Sequence, residues 1–248
     1  MAFQAIIADW NGTLILDRNE TPILRNIAID IAKFRFFRRP QDAVRLFRAQ
    51  RELTKLNEEQ RQDENFDFVR EMHRIYNEEI IKGIPMSVIR RSVERYAAKP
   101  EVQEKVDLRI LRLLRKYHDE NKTIGVFSAG YADGIDQILR ACGFRSSFDF
   151  IFADLLEEKD GVASGLLLRI YKHKAPLLEE LSKERGFDLK KTVYIGDTAD
   201  DEGCFQLVKY PVVSFFAADE FKKCCADKYG AFVPESEEDL IEFFEGIG

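Results

Sequence analysis

The rhythm of apolar and polar positions changes along this 248-residue chain. Residues 3–8, F-Q-A-I-I-A, are almost continuously apolar and predict a short buried strand that ends at Asp9. Residues 23–38, 41–56, 62–82 and 85–97 then carry apolar positions at helical spacing, for example Phe66, Val69, Met72 or His73, and Tyr76. A further helix is expected over 102–120, with Leu108, Leu111, Leu114 and Tyr117 turned inward. After it the pattern alternates. Short apolar runs at 123–127, 150–153, 193–195 and 212–216 predict strands. Helical patterns separate and follow them at 133–142, 174–185, 201–208 and 219–228, the first two closed by Gly143 and Gly186. Strands and helices alternating at this length mean an α/β core with a parallel sheet wrapped by helices.

Composition sharpens the boundary between the two patterns. Of 14 glycines only Gly83 lies in residues 18–105, and the prolines there (Pro22, Pro40, Pro85, Pro100) stand at expected helix starts. That segment holds 19 basic and 15 acidic residues, net +4, in a chain whose net charge is −6. The expected organisation is therefore a core of residues 1–17 and 106–248 with an all-helical insert at 18–105.

Several function classes drop out. The longest run without a charge, from Thr123 to Ala132, is too short for a membrane span. The first residues lack the basic start of a signal peptide, and Cys142, Cys204, Cys224 and Cys225 show neither metal spacing nor a disulfide framework. A reduced, cytoplasmic setting is expected. Three histidines without H-E-x-x-H argue against zinc hydrolysis and Ser-His-Asp chemistry, and a pI of about 5.4 argues against nucleic-acid binding.

Ligands of open parallel sheets lie beyond the carboxyl ends of the strands. The residues there form a chemical set: Asp9 in D-W-N-G-T, Ser128 in V-F-S-A-G, the Lys172/Lys174 region, and Asp197 in G-D-T-A-D-D with Asp200 and Asp201 behind it. Carboxylates suit magnesium, and a lysine, a hydroxyl and free backbone N–H groups suit a phosphoryl group. A strand-end Asp is a competent nucleophile on phosphorus. Plainer roles compete. Asp9 could be a turn residue and Ser128 a cap for the helix near Asp133. Asp200, Asp201 and Glu202 could be acids favoured at a helix N-terminus. Trp10 fits packing, His173 a surface position and Cys224–Cys225 helix packing. Arg35, Arg38 and Arg39, followed by Arg45, Arg48 and Arg51, form either a solvated face or an attractor of anionic substrate.

With these motifs in this order the sequence resembles the haloacid dehalogenase superfamily of phosphohydrolases along its whole length. The stretch F-D-F-I-F-A-D-L-L-E-E-K-D-G-V-A-S-G, followed by K-A-P-L-L-E-E-L, is similar to the phosphoserine-phosphatase-type branch. The resemblance implies a Rossmann-like core with helices on both faces, a helical cap, and Mg2+-dependent hydrolysis of small phosphorylated metabolites through an aspartyl-phosphate. Asp9 resembles the nucleophile. Asp9, Asn11 (through its carbonyl), Asp197 and Asp201 resemble the metal ligands, with Asp200 a competitor. Ser128, Ala129 and Lys174 resemble the phosphoryl-binding set, with Asn11, Gly12 and Thr13 forming the loop beneath. Lys174 also holds Asp9 ionised, and K-A-P-L-L favours it over Lys172.

Asn11 departs from the family, whose phosphatases carry an Asp there that protonates the leaving oxygen and later activates water. Asn cannot transfer that proton, although its carbonyl serves a metal equally well. Losing one general acid or base lowers a rate by about 10²–10⁴. Two rivals therefore stand beside the hydrolase: a phosphate-binding or regulatory protein with negligible turnover, and a phosphotransferase. The phosphoserine-specific enzymes hold the substrate amine with an acidic residue about nine positions after the nucleophile. Arg18 stands at that place, with Glu20 two further on. The substrate and the oligomeric state stay open.

Overall fold

A computed structural model describes residues 3–38, 48–49, 51–52, 55–56, 68–170 and 174–248. The chain forms two compact units. One comprises residues 1–20, 97–154 and 169–248, and the other residues 21–96 and 155–168.

The first unit is built on parallel strands: β1 (Ala5–Ala8), β2 (Thr123–Tyr131), β3 (Phe150–Lys159), β5 (Thr192–Gly196) and β6 (Tyr210–Val213). A sixth strand, β4 (Val162–Leu167), runs antiparallel to β3, and the spatial order is β4-β3-β2-β1-β5-β6. The chain winds from β1 through β2 to β3, then returns to the other side of β1 for β5 and β6. The crevice for a ligand therefore opens where the winding reverses, at the carboxyl ends of β1, β2 and β5. Ala8 pairs with Val126 on one side and Ile195 on the other, so Asp9, Ser128 and Asp197 come out close to one level.

β1 is buried on both faces, which is why it lacks the alternation of a half-exposed strand. On one face Ala5, Ile7, Phe127 and Tyr194 pack with Leu178 and Leu181 of α7 (Lys174–Arg185), Cys204 and Phe205 of α8 (Glu202–Leu207) and Cys225 of α9 (Asp219–Tyr229). Elsewhere in the core Phe3 meets Tyr117 of α5 (Leu108–Asp119) and Phe244 of α10 (Glu237–Ile247) edge-on, at 5.0 and 5.6 Å between centroids. Among the described residues no helix is long and apolar enough to cross a membrane.

The helix expected over 102–120 is two pieces. A short turn, α4 (Pro100–Gln103), is followed by a break, and α5 begins only at Leu108. The Asp107 carboxylate accepts from the N–H groups of Arg109 and Ile110 and so caps the start. Leu108, expected inward, is 43% exposed because it opens the helix outside the buried stripe of Ile110, Leu111, Leu114 and Tyr117. β3 runs six residues past its expected end and turns into β4, an element absent from the sequence reading. The signal was the D-G pair: Asp160 and Gly161 both have positive φ, 54° and 78°, as a tight hairpin turn demands. Helix α10, capped by the Ser236 hydroxyl, was not anticipated either. α6 (Ala132–Ala141) closes at Gly143 as expected.

The second unit contains α1 (Thr21–Arg38), α2 (Phe68–Ile75) continuing as a π-helical turn over Tyr76–Ile81, most of α3 (Met86–Ala97) and the β3–β4 hairpin from Leu155 onward. It is therefore not built of helices alone. Asn77 ties the hairpin in, bonding both the N–H (2.6 Å) and the carbonyl (3.3 Å) of Leu166 on the edge strand. Arg35 corrects the picture of a solvated basic face. It continues the i, i+4 stripe of Ile23, Ile27 and Ile31, is buried, and donates to the Glu79 carbonyl at 2.8 Å. It satisfies an orphan acceptor near the end of the π-helical turn. Arg48 and Arg51 are exposed. Arg39, Arg45 and most of the helix expected at 41–56 lie outside the described residues, as do residues 62–67.

Candidate functional site

The site grows from the loop after β1. The Asp9 N–H donates to the Ile195 carbonyl at 2.9 Å, which extends the β1–β5 ladder by one residue and fixes the backbone beneath the carboxylate. Its Oδ1 accepts from the Trp10 N–H at 2.8 Å and its Oδ2 pairs with Lys174 Nζ at 2.9 Å, so the carboxylate plane is set from both ends. The chain then reverses tightly, with the N–H groups of Thr13, Leu14 and Ile15 converging on the Trp10 carbonyl. Gly12 allows this with φ +67°, and any Cβ there would overlap the Asp197 carboxylate. Thr13, fully buried, donates to Asp197 Oδ1 at 3.3 Å. Ser214 Oγ, at the end of β6, donates to the Gly12 carbonyl at 2.8 Å.

Lys174 opens α7, and its side chain is buried between two carboxylates. It lies 2.6 Å from Asp201 Oδ1 as well as 2.9 Å from Asp9. Burial would pull the ammonium down, but the charges of Asp201 and Asp9 outweigh it and hold its pKa above the ordinary lysine value. Burial raises Asp9, Lys174 opposes this, the Asp201 charge adds to it, and a hydrogen bond from Ser128 lowers it again. Asp197 is pushed up to about 7 by burial and then by the charges of Asp9 and Asp201. Of the two competing acids, Asp201 enters this cluster fully buried and Asp200 stays exposed.

Ser128 is buried and accepts from the Gly130 N–H at 3.2 Å. It does not cap the following helix, because β2 continues to Tyr131 and that residue precedes α6 without a side-chain cap. Ala129 is exposed beside it. Trp10 is buried. Lys172 and His173 lie outside the described residues. Asn11, half-buried, donates from Nδ2 to Glu20 Oε1 at 3.0 Å. Burial pushes Glu20 up to about 7, against hydrogen bonds from Asn11 and the Tyr131 backbone that favour its charged form.

Three residues escaped the sequence reading. Ser214 was placed inside a strand expected to reach residue 216; the strand stops at Val213, which puts Ser214 on the functional rim. Tyr194, fully buried in β5, donates to Asp201 Oδ1 at 2.8 Å. Asp154 stands where β2 and β3 stop pairing and accepts from the N–H groups of Arg169 (2.7 Å) and Ile170 (3.3 Å). Burial is the leading cause that pushes its pKa up to about 6, against an ordinary 3.8. The native state therefore holds a proton that the unfolded chain releases between pH 4 and 6, and stability is lost as pH rises through that window. Asp154→Asn keeps an oxygen for both N–H groups and removes the buried charge. We expect it to raise stability at pH 7 by on the order of 2–3 kcal/mol and to change it little at pH 4, as read by urea unfolding at both pH values.

Asp9, Asp197 and Asp201 each present a carboxylate oxygen within 4.8 Å of the others, all three buried, with one lysine among them. Three buried carboxylates against one ammonium leave an excess of negative charge, which adds to burial in raising the pKa of Asp197. All-oxygen donors fit a hard divalent cation.

The family model described as haloacid dehalogenase-like hydrolase matches residues 6–206. A phosphoserine phosphatase of Methanocaldococcus jannaschii is 24% identical over 130 residues, 51% of this chain and 56% of that protein. One of Streptococcus thermophilus is 25% identical over 127 residues, 49% of this chain and 52% of that protein. The chain thus matches about half the length of these relatives. A substrate-bound phosphoserine phosphatase structure superposes with a TM-score of 0.60 at 18% identity, covering all of both chains.

Proposed function

Because the chain belongs to the haloacid dehalogenase-like hydrolase family, we propose that it is a Mg2+-dependent phosphomonoester hydrolase of small phosphorylated metabolites, with Asp9 as its nucleophile. The observation that carries this is the placement of Lys174 between Asp9 and Asp201 at the reversal point of the sheet. A lysine so paired favours the ionised nucleophile against the burial that raises its pKa.

In the proposed reaction Lys174 and Ser128 hold phosphoryl oxygens, with the backbone N–H groups of Asn11 and Ala129 completing the cradle. Asp9 forms a bond to phosphorus as the ester P–O bond breaks, and the alcohol leaves as its anion, because Asn11 has no proton to give. Water then attacks the phosphorus of phospho-Asp9, breaking the acyl phosphate and releasing phosphate and the Asp9 carboxylate. Asp9, Asp197 and the Asn11 carbonyl would hold the metal, with Asp201 beside them. The ion would supply positive charge to the phosphoryl oxygens and the surrounding carboxylates. We take residues 18–105 as the family's cap and as the segment that selects substrate. Glu20 is already engaged by Asn11, which supports a substrate other than phosphoserine.

A screen of phosphorylated metabolites with and without magnesium, run beside Asp9→Asn, tests the reading. Magnesium-dependent release of phosphate that the variant lacks supports it. Tight binding of phosphorylated compounds without turnover would replace it with a regulatory role.

A further inference from the structure

We propose that Tyr194 is a positioning residue for phosphoryl transfer, its hydroxyl fixing Asp201 so that Lys174 is held against Asp9. This rests on the phosphatase reading above. An ionised carboxylate has about four acceptor sites, and on Asp201 all are engaged. Oδ1 accepts from Lys174 Nζ at 2.6 Å and from Tyr194 at 2.8 Å. Oδ2 accepts from the N–H groups of Asp197 at 3.0 Å and Thr198 at 3.2 Å. Asp201 is fully buried, so in this arrangement it acts on its neighbours and not on substrate.

Two donors share Oδ1, and only one of them can move easily. The Tyr194 ring is fully buried in the core, edge-on to Phe205 at 5.8 Å between centroids, so its hydroxyl has a fixed address. Tyr194 also pairs with Ile7, which ties that address to the strand carrying Asp9. Lys174 has the flexible stem. Its ammonium divides itself between Asp201 and Asp9, with the shorter bond to Asp201. Without the phenol, Oδ1 would offer both acceptor sites to Lys174 alone and draw it away from Asp9. A phenylalanine would fill the same space in the core, so packing does not require the hydroxyl. A buried hydroxyl is costly unless bonded, and the partner it finds is one of the two carboxylates that hold Lys174, the one at the shorter distance.

The test is Tyr194→Phe, with folding confirmed by its thermal transition. Three quantities are compared with wild type: kcat and KM for p-nitrophenyl phosphate, the magnesium dissociation constant by calorimetry, and the affinity for beryllium fluoride, which mimics a phosphoryl group on a carboxylate. Misplacing Lys174 is expected to lower kcat and beryllium fluoride affinity by about tenfold each, with magnesium affinity within about twofold of wild type. Unchanged kcat and fluoride affinity would overturn the proposal, and so would a loss of magnesium affinity as large as the loss of kcat. If the phenylalanine variant does not fold, 3-fluorotyrosine placed at 194 keeps the ring and strengthens the donor. A fluoride affinity identical to wild type would then be fatal to the idea, and a shift of at least about twofold would support it. Absent wild-type turnover rejects the phosphatase reading instead, while fluoride binding still decides the part played by Tyr194.

Discussion

Asp9→Asn is expected to abolish turnover, with a loss of roughly 10⁴-fold or more, as when other covalent nucleophiles are removed. Asn preserves the size of the side chain and an acceptor for the Trp10 N–H, so the loop after β1 should persist. What disappears is the carboxylate that attacks phosphorus and one of the two partners of Lys174. Asp197→Asn gives a contrast. Asp197 is braced by Thr13 and lies against Gly12, with no place in the bond-making step. Its loss should raise the magnesium concentration needed for half-maximal rate by at least about tenfold while leaving a measurable rate at saturation. Rate against magnesium concentration separates the two. Full activity in Asp9→Asn would remove Asp9 as nucleophile.

The second large effect is a gain. With Asn11 unable to supply a proton, the wild-type rate should depend steeply on the pKa of the leaving alcohol, favouring aryl or acyl phosphates over alkyl ones. Asn11→Asp should flatten that dependence and raise alkyl phosphate hydrolysis by up to about 10²–10⁴. Glu20 makes this more specific. Its carboxyl lies 3.0 Å from Asn11 Nδ2, so an Asp would form a carboxyl pair. Two carboxylates at that range hold a proton between them, which keeps the new residue supplied with the proton it must donate. The comparison needs peptide mapping, because Asn11 precedes Gly12 and such pairs deamidate spontaneously. A trace of Asp at position 11 would imitate the variant. Equal alkyl phosphate rates for a chemically pure wild type and Asn11→Asp would show that the leaving oxygen obtains its proton elsewhere.

Much of the site was legible because strand ends in a parallel sheet are also motif positions. Asp9, Ser128 and Asp197 each end an apolar run, and register brings them to one level. The competition between Asp200 and Asp201 was not decidable from adjacency. In the turn before α8 Asp201 accepts from the N–H groups of Asp197 and Thr198, which turns it inward, and Asp200 is left in solvent. Asp154 and Ser214 were hidden by strand limits that were off by a few residues. The β3–β4 hairpin was hidden because its residues alternate weakly and only the D-G turn marks it.

The sequence by itself determined the α/β core, the rim on which the polar residues sit, and the departure at Asn11. These depend on local periodicity and on residue identity, and both are written along the chain. Only the tertiary structure decided which polar groups touch: Tyr194 and Lys174 on one oxygen of Asp201, Asn11 on Glu20, Ser214 on Gly12, and Arg35 in a buried stripe. Those partners lie as much as 202 positions apart in the chain. A side chain's periodic position sets the face it takes, but its hydrogen-bond partner depends on where distant strands end, and no local pattern encodes that.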